Sequence, residues 1–87
     1  MASTDKQILS VIARAPFHVY YEGEAQAVSA ANIVGQFDIL PGHADFFSIL
    51  EPGEVIIDTG SAEPVKFNIS NGIAAVRNDE VMLFVNI

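Results

Sequence analysis

The sequence predicts an all-β fold, a small antiparallel sandwich of about 8 to 10 short strands. Three observations carry this. Apolar, β-branched runs recur at intervals of roughly 8 to 12 residues. Gly, Pro, Asn and Asp separate them. No segment has an apolar stripe of helical period; "GEAQAVSAANIVG" is rich in Ala, the strongest helix former, but Val28 and Ile33 make no stripe of useful width.

The elements follow in order. "KQILSVIA" and "FHVYY" are strands, the second ending in an acidic turn at "EGE". "AQAVSAAN" alternates loosely and is assigned to strand and loop. "GQFDIL" sets Phe37 and Ile39 against Gln36 and Asp38. Pro41 and Gly42 bend the chain into "ADFFSIL". Pro52 and Gly53 in "EPGE" suit the central positions of a type II turn before "EVIID". "DTGSAEP" is a loop, "VKFNI" alternates, and Asn71 with Gly72 is a hairpin signal leading to "IAAVR". "NDE" turns the chain into "VMLFVNI". With 87 residues and no tandem repeat or flexible linker, residues 1–87 are expected to form one domain.

Composition excludes several function classes. There is no Cys, so disulfides, zinc–thiolate sites and thiol chemistry are all ruled out; this fits a cytosolic protein. Four Lys and Arg against eleven Asp and Glu leave a net charge of −7, with no basic cluster to neutralise a phosphate backbone. Nucleic acid is therefore not an expected partner, and any membrane attachment should run through another protein. No apolar run approaches the roughly 20 residues that cross a bilayer, and "MASTDKQ" resembles neither a secretion signal nor a transit peptide.

Catalytic patterns are weak. His18 and His43 are the only imidazoles, and no second histidine lies a residue or two from either on the same strand, the arrangement expected of a metal site in a β-barrel enzyme. Ser48, His43 and Asp45 could be written as a triad, but no strained nucleophile turn or oxyanion loop accompanies them. Glu22, Glu24, Glu51, Glu54, Asp79 and Glu80 fall in predicted turns, where charge keeps strand ends wet. The glycines are too widely spaced to cradle phosphate, and "NIS" at residues 68–70 lies inside a predicted strand. No metal, cofactor or catalytic residue is expected.

The surplus of apolar residues is more informative. Phe37, Ile39, Leu40, Phe46, Phe47, Ile49, Leu50 and Val55 to Ile57 include adjacent pairs. Successive strand residues face opposite sides, so some of these point away from the core. Either loops and a second sheet cover them, or a partner does.

"ILPGHA", with "LEPGEV" eleven residues on, sits inside "YYEGEAQAVSAANIVGQFDILPGHADFFSILEPGEVIID" and is followed by "FNISNGIAAVRNDEVMLFV". In this order and spacing the motifs resemble the N-terminal β-sandwich of the epsilon subunit of F-type ATP synthase, over roughly residues 8–87. Asp38 stands where that family usually has Gly, and Asn71 replaces the first Gly of its hairpin; both residue types tolerate left-handed backbone.

The resemblance implies a non-catalytic rotor part that binds the gamma subunit and the c-ring and helps couple ion translocation to ATP synthesis. By family position His43 and Ser48 would face gamma, and Ile33, Val34, Gly35 and Gln36 would form the turn nearest the ring. Pro41, Gly42, Pro52, Gly53, Asn71 and Gly72 would shape the turns. The implied location is peripheral, on the cytoplasmic face of the bacterial inner membrane, and the isolated domain is expected to be monomeric. The sequence ends after the last predicted strand, so the resemblance carries over neither the inhibition nor the nucleotide binding of the family's C-terminal helical hairpin. Two rivals are a free-standing sandwich that binds a small ligand, for which Trp is absent and only Tyr20 and Tyr21 are available, and a barrel enzyme with a metal on His18 and His43.

Overall fold

The computed structural model describes residues 8–87; Lys6 and Gln7 of the first predicted strand, and the rest of the N-terminal segment, lie outside them. Nine strands form: β1 Leu9–Ala15, β2 His18–Ala25, β3 Ala27–Asn32, β4 Gly35–Ile39, β5 Phe46–Leu50, β6 Gly53–Asp58, β7 Val65–Ile69, β8 Asn71–Arg77 and β9 Glu80–Asn86. They build two facing sheets, one of five strands in the order β2-β1-β9-β8-β5 and one of four in the order β4-β3-β6-β7. No helix forms among the described residues, and the Ala-rich segment is β3.

Period-two alternation decides what is buried. On β9, Val81, Leu83 and Val85 point inward while Met82 and Phe84 point out. Val28 and Ala30 on β3 and Val55 and Ile57 on β6 supply the opposing layer. Among the described residues no polar side chain is fully buried, so the sandwich is held by apolar packing and backbone ladders. Aromatic pairs plug both seams between the sheets. Phe37 meets Phe46 edge-on at 5.7 Å, and Tyr20 stacks on Phe67 at 5.2 Å. At the first seam the amide of Glu51 also donates to the Ala31 carbonyl at 2.9 Å.

Four local expectations are corrected. Glu22-Gly23-Glu24 is not a turn but the continuation of β2, with Glu24 opposite Ser10 and Glu22 opposite Ile12. A bulge at Tyr20 interrupts the register between Ala13 and Arg14, and this lets Tyr20 and Tyr21 both pack against the core. Tyr21 then lies over Gly23, its hydroxyl donating to the Glu24 carbonyl. Second, the sandwich is not wholly antiparallel, because β1 and β9, from opposite ends of the chain, pair in parallel.

Third, Pro52 and Gly53 do not form a type II turn. Gly53 has φ 155°, far from the value of about 80° that such a turn needs, and it begins β6 opposite Ile69. Fourth, Asn71 and Gly72 do not turn a hairpin: β7 and β8 belong to different sheets, so this step crosses the sandwich, and Gly72 lacks positive φ. The type II turn is found instead at Leu40–His43, with Pro41 and Gly42 at its centre, Gly42 at φ 85°, and the His43 amide donating to the Leu40 carbonyl at 3.0 Å.

Candidate protein interface

The outward face of the five-stranded sheet is assembled by register. Cross-strand partners share a face. Ile12 therefore lies beside Glu22 on β2 and Met82 on β9, Met82 beside Ala75 on β8, and Ala75 beside Phe47 on β5. The next outward row runs Val19, Arg14, Phe84, Ile73, Ile49. Two adjacent rows are thus apolar across the centre of the sheet and out to its β5 edge. Phe47 and Ile49 are 66% and 65% exposed, Phe84 47% and Met82 44%. Carboxylates Glu22, Glu24 and Glu80 line the far corner, and Arg14 interrupts the second row. Arg14 is held flat by donating to the Ala15 and Pro16 carbonyls, each at 3.2 Å.

The opposite outer face of the sandwich is of another kind. On the four-stranded sheet Ser29, Asp38, Glu54, Lys66 and Asn68 point outward around a half-buried Ile56, and the Ser29 hydroxyl donates to Asp38 at 2.7 Å. The outward apolar surface is thus concentrated on the five-stranded sheet, the kind of patch that marks a candidate interface. It is not flat. An open groove of about 420 Å³ lies between Arg14, Ile73 and Phe84, and a second of about 390 Å³ between Phe47, Ile49 and the Asn32–Ile33 corner.

The residues singled out from sequence fall in three places. Ile33 and Val34 are the two-residue tip of the β3–β4 hairpin, 88% and 92% exposed. The tip is shaped by Asn32, whose side-chain oxygen accepts from the amides of Val34 (2.9 Å) and Gly35 (3.3 Å). Gly35 and Gln36 open β4. His43 lies past the other end of β4, roughly 16 Å away for a five-residue strand. It is exposed, with Nδ1 donating to the Ala44 carbonyl at 2.7 Å and its ring centroid 4.8 Å from that of Phe46. Ser48 is on the inward side of β5, opposite buried Ala74, and accepts from the Asn32 side chain at 3.1 Å across the seam.

The structure does not bring the paper triad together. Asp45 is bonded to the Asn78 amide, Ser48 to Asn32, and His43 to its own backbone neighbour. His18 and His43 are likewise apart. His18 pairs with Ala15 at one end of β1, whereas the His43 turn is tied to Asp79, whose carbonyl receives the Ser10 amide at the other end. Sequence reasoning found Phe47 and Ile49 but missed Ile12, Ile73, Met82 and Phe84. For Ile73, Met82 and Phe84 the signal was the unbroken apolar character of "IAAV" and "VMLFV", which supplies both faces of a strand at once.

Comparison with known proteins gives this geometry a family. Residues 8–87 match the family described as ATP synthase, Delta/Epsilon chain, beta-sandwich domain. The chain is 38% identical over 66 residues to the ATP synthase epsilon chain of Xanthomonas campestris, covering 76% of this chain and 47% of that protein. With the ATP synthase epsilon chain of Clostridium novyi it shares 32% identity over 68 residues, covering 78% and 52%. The chain thus spans about half the length of these curated relatives. Its fold also matches chains in the mitochondrial ATP synthases of Tetrahymena thermophila, in a central stalk/c-ring structure (TM-score 0.79, 20% identity, 97% of this chain and 67% of that one), and Euglena gracilis (TM-score 0.84, 16% identity, 95% and 53%). These similarities and the two-sheet architecture give one conclusion: the chain belongs to the family of ATP synthase delta/epsilon chain β-sandwich domains.

Proposed function

We propose that this domain is a non-catalytic rotor element of an F-type ATP synthase, binding the gamma subunit and the c-ring so that ion translocation is coupled to ATP synthesis. The observation that carries the reading is the apolar outward face of the five-stranded sheet on a domain of net charge −7. Acidic surfaces stay soluble by repulsion, so two adjacent rows of exposed Phe, Ile and Met are the part of the surface that a partner has to cover. In this reading gamma packs on those rows, with the His43 turn at one end of the face and Ser48 at its β5 margin. The Ile33–Val34 tip, with Gly35 and Gln36 behind it, rests on the ring loops, and the domain sits peripherally on the cytoplasmic side of a bacterial inner membrane.

Calorimetric titration against the purified gamma subunit of the same organism tests it. A one-to-one complex with a negative heat-capacity change, the sign of apolar burial, is the expected result. Absence of binding at tens of micromolar, with the domain shown to be folded, would overturn the reading and direct attention to the two grooves as small-ligand sites.

A further inference from the structure

The turn that presents His43 is locked to a distant hairpin by two crossed carboxylates. Asp79, in the β8–β9 turn, accepts the Gly42 amide at 2.7 Å; Asp45, just past the His43 turn, accepts the Asn78 amide at 3.1 Å. Each turn supplies the acceptor that satisfies the other's backbone. The Ser10 amide donates to the Asp79 carbonyl at 2.9 Å and ties the pair to β1. Turn chemistry alone does not account for Asp79. Asn78 and Asp79 have φ 51° and 61°, a two-residue turn in which Gly is the favoured second residue, whereas here Asp stands at that position and its carboxylate reaches Gly42.

We propose that Asp45 and Asp79 are positioning residues that hold the Leu40–Asp45 turn, and with it His43, in a single geometry before any partner arrives. This rests on the reading that the His43 turn meets gamma. A turn ordered in advance avoids the ordering cost that a free loop incurs on binding.

The test separates the lock from its use. Asp79→Gly keeps the backbone conformation but removes the acceptor, while Asp79→Asn keeps both. Amide hydrogen exchange at Gly42 should quicken by about tenfold in Asp79→Gly and stay near wild type in Asp79→Asn. Gamma affinity should fall about fivefold in Asp79→Gly, recover in Asp79→Asn, and change less than about twofold when Asp79→Gly is introduced into a His43→Ala background, because residues acting through one element are not additive. Unchanged Gly42 exchange in Asp79→Gly would overturn the lock. An affinity loss that persists undiminished in the His43→Ala background would overturn its role in positioning. Asp45→Ala, read at the Asn78 amide, repeats the exchange test from the other side. Should the wild-type domain not bind gamma at all, the functional reading fails while the exchange data still decide whether the lock exists.

Discussion

A methyl group cannot be added at Gly72 without moving backbone. A Cβ there would lie 2.6 Å from the Phe84 carbonyl oxygen and 3.2 Å from the Cα of Val85, on a buried stretch of β8 flanked by β9 and β5. Gly72→Ala should therefore destabilise the domain by about 2 kcal/mol or more, measured as a lowered midpoint in urea with the slope unchanged. Gly42 differs: a Cβ would meet nothing within 4 Å, but φ 85° is costly for any side chain. Gly42→Ala should cost only about 1 kcal/mol in the same assay. The His43 side chain is exposed, with one hydrogen bond, to the Ala44 carbonyl, and one ring neighbour, Phe46. His43→Ala should leave the urea midpoint within about 0.5 kcal/mol of wild type while weakening gamma binding, so that affinity and stability part company at this residue.

At the scale of the element, the two faces of one strand can be tested separately. On β5, Leu50 is buried while Phe47 and Ile49 are exposed. Replacing Phe47 and Ile49 together by Ser should shift stability by less than about 1 kcal/mol yet reduce gamma affinity by more than about tenfold. Leu83→Ala, on the inner face of β9, should cost about 2 to 5 kcal/mol. Paired denaturation and titration experiments read both quantities for each variant. The same two-faced property governs what the sequence disclosed. Alternating strands such as "VKFNI" announce themselves, and so does the turn at Pro41–Gly42, because Pro fixes its own φ and Gly42 adopts the positive φ that the position after Pro41 needs.

"EGE", "PG" and "NG" misled for a shared reason. The residues that allow a turn also serve at a bulged strand, at a crossing between sheets, or where two backbones approach closely, and only tertiary partners distinguish these uses. Gly23, Gly53 and Gly72 supply one case of each. For the interface, family position pointed to His43 and to the Ile33–Val34 tip. The apolar rows of β8 and β9 escaped notice because an unbroken apolar run reads as a strand buried on both faces. The Asp45–Asp79 lock joins residues 33 to 37 positions apart in sequence, beyond the reach of any local pattern.

At the scale of the whole molecule, the pairing of β1 with β9 determines how the domain folds. Ser10 sits opposite Glu80, so the five-stranded sheet closes only when nearly the entire chain has been collected, and β9 is the strand that joins β1 and β2 to β8 and β5. Until it docks, Leu9, Val11 and Ala13 have no neighbour on one flank, and the inner faces of both sheets lack Val81, Leu83 and Val85. Long loop closure must thus precede most of the apolar burial, the condition that places β-sandwiches among the slow two-state folders. Refolding monitored by tyrosine fluorescence and by far-UV circular dichroism should give one coincident exponential phase in the range of about milliseconds to seconds. Deleting residues 80–87 should leave a chain without cooperative unfolding, not a smaller sandwich with proportionally reduced stability. A truncated chain that still melted in a sharp transition would show that the four-stranded sheet with β8 and β5 forms a core of its own, and the domain would then have to be treated as two folding units joined by β9.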